Sequence, residues 1–324
     1  MALTKNSQQV EGLIYEQLTK VPAETWAYDS SLFFDFVMRR LERPAESDPI
    51  GFPIPGLKAL TTGGAFRGAT AQTIVIEDTG DKAQWNLSEY RAHATVSDRE
   101  LDLTQTSHSV GSIALVKADE IKSRLNDLLS TDIFGTKSGE KVEGFGDLMS
   151  TSSVYGQLDP ATYPNWKANV VDTTTTTLVT STVFNKLIVP LTNGQYAPDI
   201  LVTRPSVEAK IIGLQSAITG FIEIKDFSSG ISVGARKVNL YFGVPIISDR
   251  HVAGSDGGTA DNDILALNTK FLQFNVLPAK RFLVSKDTLR PQQYAQVYSL
   301  DVTCAFSSTG RKYQGTMQAV NPDA

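Results

Sequence analysis

The stretch from Pro44 to Gly68 constrains this chain most. It carries Pro44, Pro49, Pro53 and Pro55 together with Gly51, Gly56, Gly63, Gly64 and Gly68. Proline lacks the N–H that a helix interior or central strand needs, and glycine loses the most backbone freedom on ordering, so neither element can run through the segment. An extended arm is the expectation. Beyond it, from about Phe66 to Val96, two polar strand-like runs flank the turn Asp78-Thr79-Gly80-Asp81, with the clearest β signal at Thr73-Ile74-Val75-Ile76-Glu77. At about 3.3 Å per residue each limb could reach roughly 40 Å. An isolated two-stranded hairpin of that length is marginal in water. Arm and hairpin therefore need support, from a larger sheet of the same chain or from another molecule.

The rest of the chain can supply a core. Residues 6–20 and 29–42 place apolar side chains at helical spacing, the second set being Leu32, Phe33, Phe36, Val37 and Leu41. Between Ser107 and Phe134 the positions Val110, Ala114, Ala118, Ile121, Leu125 and Leu128 form an apolar stripe, with charged residues on the other face. That predicts one long helix, ended by Gly135 and the cluster Gly139, Gly144 and Gly146. The run Thr173–Thr177 reads as the hydroxyl cap of a second helix through Leu187 and Ile188. Ile200-Leu201-Val202 reads as a buried strand before a helix that Pro205 opens. Strands follow at 221–224, 238–242, 244–248 and 264–267. The alternation Tyr298, Leu300, Val302, Cys304, Phe306 against Ser299, Asp301, Thr303 is the cleanest strand signal, and a final strand ends near Val320. Helices and strands intermix without regular βαβ repeats, so the fold class is α+β.

Charge and composition narrow the function. Thirty Lys plus Arg stand against 35 Asp plus Glu, a net charge of -5, so there is no basic excess to neutralise a phosphate backbone. No apolar run reaches the ~18 residues of a membrane span, and MALTKNSQQV lacks the pattern of a secretory signal. The one cysteine, Cys304, forms no internal disulfide. Three histidines, His93, His108 and His251, lie in separate neighbourhoods without cysteines nearby, which argues against a zinc site. Gly230-Ile231-Ser232-Val233-Gly234 matches the nucleophile pattern of serine hydrolases. A strand, however, and not the required helix, is expected after Ser232. Gly135 and Gly139 are one residue too close for a phosphate loop, and Asp256, Asp261 and Asp263 miss the spacing of a calcium loop. No catalytic, cofactor or metal residues are expected.

Several local phrases, in order, resemble the major capsid proteins of tailed bacteriophages, which share the Johnson fold. They are Tyr155-Gly156-Gln157-Leu158-Asp159 with Tyr163-Pro164-Asn165-Trp166, then Ala197-Pro198-Asp199-Ile200-Leu201-Val202-Thr203, then Leu240-Tyr241-Phe242-Gly243-Val244-Pro245-Ile246-Ile247-Ser248-Asp249. Leu265-Ala266-Leu267-Asn268 and the closing alternating strand also fit. The resemblance runs from about Gly63 to the end.

It implies N-terminal helices and an extended arm over 1–65, an extended hairpin loop over 66–97 lying on a neighbour, and a peripheral domain over 98–195 around the long helix 107–134. An axial domain over 196–278 and return strands of the peripheral domain over 279–324 complete it. The implied function is a structural subunit that self-assembles through hexamers and pentamers into an icosahedral head shell. The shell encloses double-stranded DNA without sequence-specific binding and without a cofactor. Implied partners are further copies of the chain, a portal, a separate scaffold protein and a decoration protein. The implied location is the virion capsid, assembled in host cytoplasm. An encapsulin-type nanocompartment and a serine hydrolase using Ser232 are the alternatives. Arg67, Glu77, Asp78, Asp81 and Lys82 are the candidates for inter-subunit contact. Some relatives join a hairpin lysine to a neighbour's asparagine. Here Lys82 and Asn321 would be the pair, but polar surroundings keep the ammonium charged, so no crosslink is expected.

Overall fold

The computed structural model describes residues 31–57, 80–97, 107–178, 181–192, 196–211, 239–241, 243–254, 262–287 and 295–321. The helix expected over 6–20 and the strand over 221–224 lie outside these residues, as does Ser232. Ser31 opens helix α1 (Leu32–Phe36), its hydroxyl accepting the Phe34 N–H at 3.0 Å, as an N-cap should. The helix continues as a π turn over Val37–Leu41. Phe33, Phe34, Phe36, Val37, Met38 and Leu41 are all buried, so this element is a plug in the core rather than a surface helix.

Strands β1 (Glu42–Pro44), β2 (Ile50–Ile54), β3 (Asp81–Trp85) and β4 (Ser88–Ser97) follow. Of the hairpin expected around Asp78–Asp81, the limb before the turn lies outside the described residues, and the limb after it pairs within the body. β3 pairs antiparallel with β2, Ile54 opposite Asp81 and Ile50 opposite Trp85, while β4 pairs along its whole length with β12 (Ala295–Ser308). The limb after the turn is thus two strands of the body. Ala83, Trp85, Tyr90, Ala92, Ala94 and Val96 are buried, and that apolar half of the alternation is what ties them down. Pro53 is tolerated because β2 is an edge strand.

The long helix α2 (Ser107–Phe134) forms as expected and buries Ala118, Ile121, Leu125, Leu129 and Ile133 against the five-stranded sheet. The apolar stripe continues through Leu129, leaving Leu128 46% exposed, because consecutive residues sit about 100° apart on a helix. A short helix α3 (Phe145–Leu148) follows. The threonine run is no helix cap: Asn169–Leu178 is strand β5, parallel to β13 (Gly315–Asn321). Branched Cβ atoms stiffen χ1 and favour the pleated conformation, and β13 offers the ladder. Helix α4 (Ser181–Leu191) comes next.

Two sheets organise the rest. In the five-stranded sheet β12 is central, with β4 on one edge and β10 (Leu272–Val276) and β11 (Leu283–Asp287) sharing the other; β1 adds parallel to β10. The six-stranded sheet runs β5-β13-β9-β6-β8-β7, with β6 (Ile200–Thr203), β7 (Asn239–Tyr241), β8 (Val244–Ser248) and β9 (Asn262–Leu267). β6 is buried at all four positions. Ile200 and Val202 face the large core, while Leu201 packs with Leu187 and Leu191 of α4 and with Val207 and Ile211 of the helical residues 205–211. The boundaries drawn from sequence cross these sheets, since the six-stranded one draws strands from 98–195, 196–278 and 279–324.

Two short connections cross between the sheets, Asn268–Phe271 and Thr309–Gln314. Asn268 and Gln314, both buried, lock the crossing: the Asn268 N–H donates to Gln314 Oε1 at 2.9 Å, and Gln314 Nε2 donates to the Asn268 carbonyl at 3.0 Å. Two polar groups that burial would otherwise penalise satisfy each other.

Candidate inter-subunit surface

The ribbon of β2 and β3 sits on the loop that follows α3. Trp85, 1% exposed, packs edge-on against Tyr155, ring centroids 5.6 Å apart, and against Phe52 at 5.9 Å. Beside it Tyr155-Gly156-Gln157-Leu158 forms a tight turn. Gly156 and Gln157 both have positive φ, 60° and 61°, and the Leu158 N–H donates to the Tyr155 carbonyl at 3.2 Å. Gly156 is required twice over. Its backbone lies in the left-handed region, and a Cβ there would meet the Trp85 ring at 2.7 Å. Its carbonyl accepts the Gln84 N–H at 2.9 Å, so the turn also extends the ladder of β3.

Of the five contact candidates, Arg67, Glu77 and Asp78 lie outside the described residues, and Asp81 and Lys82 open β3. Asp81 accepts the Tyr163 hydroxyl and, through its other oxygen, the Lys82 N–H at 2.7 Å. Lys82 is exposed and stands opposite Pro53, its stem lying across Gly51, where a Cβ would come within 2.1 Å of Lys82 Cε. On the other strand's side Asn165 Nδ2 donates to the Gly56 carbonyl at 3.1 Å. Tyr163 and Asn165 were noted in the sequence only as part of a phrase; their contacts with residues 82 and 109 positions away left no local signal.

Arg311 holds this loop from beneath. It is fully buried and donates to five backbone carbonyls: Nε to Leu148 at 2.9 Å, Nη1 to Ser153 at 3.0 Å and Trp166 at 3.3 Å, Nη2 to Asp147 at 2.7 Å and Ser150 at 2.5 Å. Its guanidinium also lies over the Tyr155 ring, 5.5 Å from the centroid. A guanidinium has five N–H groups, and all are used. Burial lowers its pKa to about 10, opposed by Tyr155, Asp147 and Glu143, so it is cationic at neutral pH. Burial in the same region raises the Asp147 carboxyl, an effect that the Lys137 N–H, donating to Oδ2 at 2.6 Å, partly offsets. The exposed stretch 136–141 is the solvated turn after a helix that its glycines suggested.

A cleft of about 340 Å³ opens between Pro53, Pro55 and Leu57 on one wall and Tyr196, Phe271 and Tyr313 on the other. Phe271 and Tyr313 stack at 4.5 Å, and Lys270 and Lys312 cover the rings of Tyr196 and Tyr313.

The histidines divide as their neighbourhoods suggested. His93 is exposed on β4, and His108 lies in the first turn of α2. His251 has Nδ1 2.8 Å from the buried Asp249 and Nε2 3.5 Å from Asp127 of α2. Asp249 also accepts the Ser31 hydroxyl, joining the start of α1 to the end of β8. Cys304 is buried, and among the described residues no group of His, Cys, Asp and Glu side chains could hold a metal ion. Among them no helix is long and apolar enough to cross a membrane.

The sequence matches no protein-family model and no curated protein. Its fold does match solved structures. The capsid of a native GTA particle aligns at a TM-score of 0.60 with 12% identity, over 88% of this chain and 90% of that one. The capsid of cyanophage A-1(L) aligns at 0.58 with 12% identity, over 88% and 92%. An encapsulin of Synechococcus elongatus aligns at 0.56 with 12% identity, over 89% and 88%. The chain has the fold of tailed-phage capsid subunits, the Johnson fold.

Proposed function

We propose that the chain is a major capsid protein, the repeating subunit of an icosahedral head that encloses the double-stranded DNA of a tailed phage. The observation that carries this is a fold shared, almost end to end, with the subunits of phage and GTA capsids. In this reading the five-stranded sheet with α2 is the peripheral domain, the six-stranded sheet is the axial domain, and the N-terminal helices and arm are assigned to residues 1–65. The hairpin loop expected over 66–97 is the part that meets a neighbour, and of its contact candidates Asp81 and Lys82 lie among the described residues. Arg67, Glu77 and Asp78, the other candidates, lie outside the described residues.

The reading makes the protein a structural component of the virion, assembled in host cytoplasm from hexamers and pentamers. Portal, scaffold and decoration proteins are its further partners. A shell subunit of this kind needs no catalytic turnover. The encapsulin likeness favours one second reading, a cargo-enclosing compartment. Electron microscopy of the purified chain tests the shell directly. Closed particles are expected, and monomers under every assembly condition would overturn the proposal. Particles containing DNA support the phage head; particles from cells that hold protein cargo and no DNA support the compartment.

A further inference from the structure

The aromatic wall of the cleft carries charge of one sign. Tyr196, Phe271 and Tyr313 form a single cluster, the two tyrosine rings 5.0 Å apart. Lys270 Nζ lies 4.8 Å from the centroid of the Tyr196 ring and Lys312 Nζ 5.0 Å from that of Tyr313, so both ammonium groups are held over the cluster. Both lysines are exposed, and among the described residues neither has a carboxylate partner. Lys280, Arg281 and Arg91, by contrast, pair with Glu89, Glu42 and Asp301. No Asp or Glu lines the cleft, and Asp199 beside it is engaged by the Thr269 N–H and hydroxyl. Two cations over an aromatic floor, in a chain of net charge -5, call for an acidic segment.

The chain itself presents one. Glu46, Ser47, Asp48 and Pro49, between β1 and β2, are all exposed. Hydrogen bonds fix their course: the Ala45 N–H donates to the Val276 carbonyl at 2.9 Å, the Ser47 hydroxyl to the Pro49 carbonyl at 2.9 Å, and the Leu87 N–H to Asp48 Oδ1 at 3.2 Å. A segment already ordered loses little freedom when it docks. Glu46 has no cationic partner among the described residues, and the Arg43 guanidinium turns instead to the Glu42 carbonyl at 2.8 Å. Within one subunit the segment stands at the start of β2 and the cleft at its end, roughly 15 Å apart along five residues. The partner must then be another copy.

We propose that the cleft is an inter-subunit docking site whose occupant is the Glu46–Pro49 segment of a second copy, its two carboxylates meeting Lys270 and Lys312. This rests on the reading of the chain as a shell subunit. Because the two surfaces lie at different places on the chain, the contact runs head to tail, and such contacts close into rings when their rotation allows. Hexamers and pentamers are rings of this kind. A single exposed ion pair contributes little, but two pairs over an aromatic floor recur at every contact in a ring.

The occupant is tested with Lys312→Cys, labelled with benzophenone maleimide and irradiated in assembled protein; Cys304 is buried and stays unlabelled. Mass spectrometry should find the link at residues 46–49, and mixing with an isotope-labelled chain should show that it joins two copies. The charges are tested by reversal. Glu46→Lys/Asp48→Lys and Lys270→Glu/Lys312→Glu should each raise the concentration needed for assembly about tenfold, and the chain with all four changes should return to within about threefold of the parent. All four residues are exposed, so each variant should melt within about 2 °C of the parent. A link within one copy, a link to any other segment, or no link overturns the docking. A fourfold variant no better than the pairs overturns the charge match. If the unmodified chain forms no particles, the shell reading falls instead, and linking in concentrated solution still decides whether 46–49 enters the cleft.

Discussion

Replacing Arg311 by Met keeps most of the buried volume and removes five donors at once. The carbonyls of Asp147, Leu148 and Trp166 belong to buried residues, whereas Ser150 and Ser153 are partly exposed and can be rehydrated. Three stranded acceptors at about 1–3 kcal/mol each give a loss of roughly 3–9 kcal/mol. Against this, the variant no longer desolvates a guanidinium, which recovers several kcal/mol. A net destabilisation of about 3–5 kcal/mol is expected. For a chain of 324 residues 1 kcal/mol corresponds to roughly 1.5 °C, so the melting temperature of the unassembled subunit should fall by about 5–8 °C. Arg311→Lys keeps the charge but offers three donors from one nitrogen, which cannot span carbonyls spread over Asp147–Trp166; it should fall between. Calorimetry or circular dichroism would decide. A loss below about 1 kcal/mol for the Met variant, or a Lys variant equal to the parent, would refute the idea that the arginine organises this loop by hydrogen bonding.

Gly156→Ala must place a Cβ against Trp85 at a positive φ and should cost about 2–4 kcal/mol, while Gly51→Ala meets only the flexible end of Lys82 and should cost under about 1 kcal/mol; comparable losses in urea melts would contradict this reading. Burial raises the Asp147 carboxyl, so its ionised form weakens the fold above the folded-state pKa and the penalty is relieved as pH falls through it. Asp147→Asn should therefore flatten the acid side of the stability–pH curve; an unchanged slope counts against the assignment. Lys82 is exposed and not held in a dry pocket beside a carboxylate base, so denaturing gels of particles should show one band near 35 kDa. A ladder abolished by Lys82→Ala would prove otherwise. Small-angle scattering of the dissociated subunit should give a radius of gyration above the ~20 Å of a compact chain, and a smaller value would remove the argument for an extended arm.

Periodic patterns were legible in the sequence. The stripe through Ala118, Ile121 and Leu125 gave α2, the alternation from Tyr298 to Phe306 gave β12, and the apolar run at Ile200 gave a strand buried on both faces. Each of these elements writes its own burial into neighbouring positions, so a short window suffices. The α+β class and the order of phrases that resemble phage capsids came with them. Partnership was not legible. Asp81–Trp85 joins Ile50–Ile54, a pairing no local pattern announced. Thr173–Thr177 becomes part of a strand because Asn169–Asp172 before it and Thr177–Leu178 at its end pair with Gly315–Asn321. Pairing depends on which backbone edges meet, and those edges lie tens to hundreds of residues apart. Arg311 is the extreme case. It stands beside Lys312 in a turn and resembles it in sequence, yet one is wholly buried and the other exposed. Only the folded chain brings five carbonyls within reach of one guanidinium, and no local pattern encodes where carbonyls will converge.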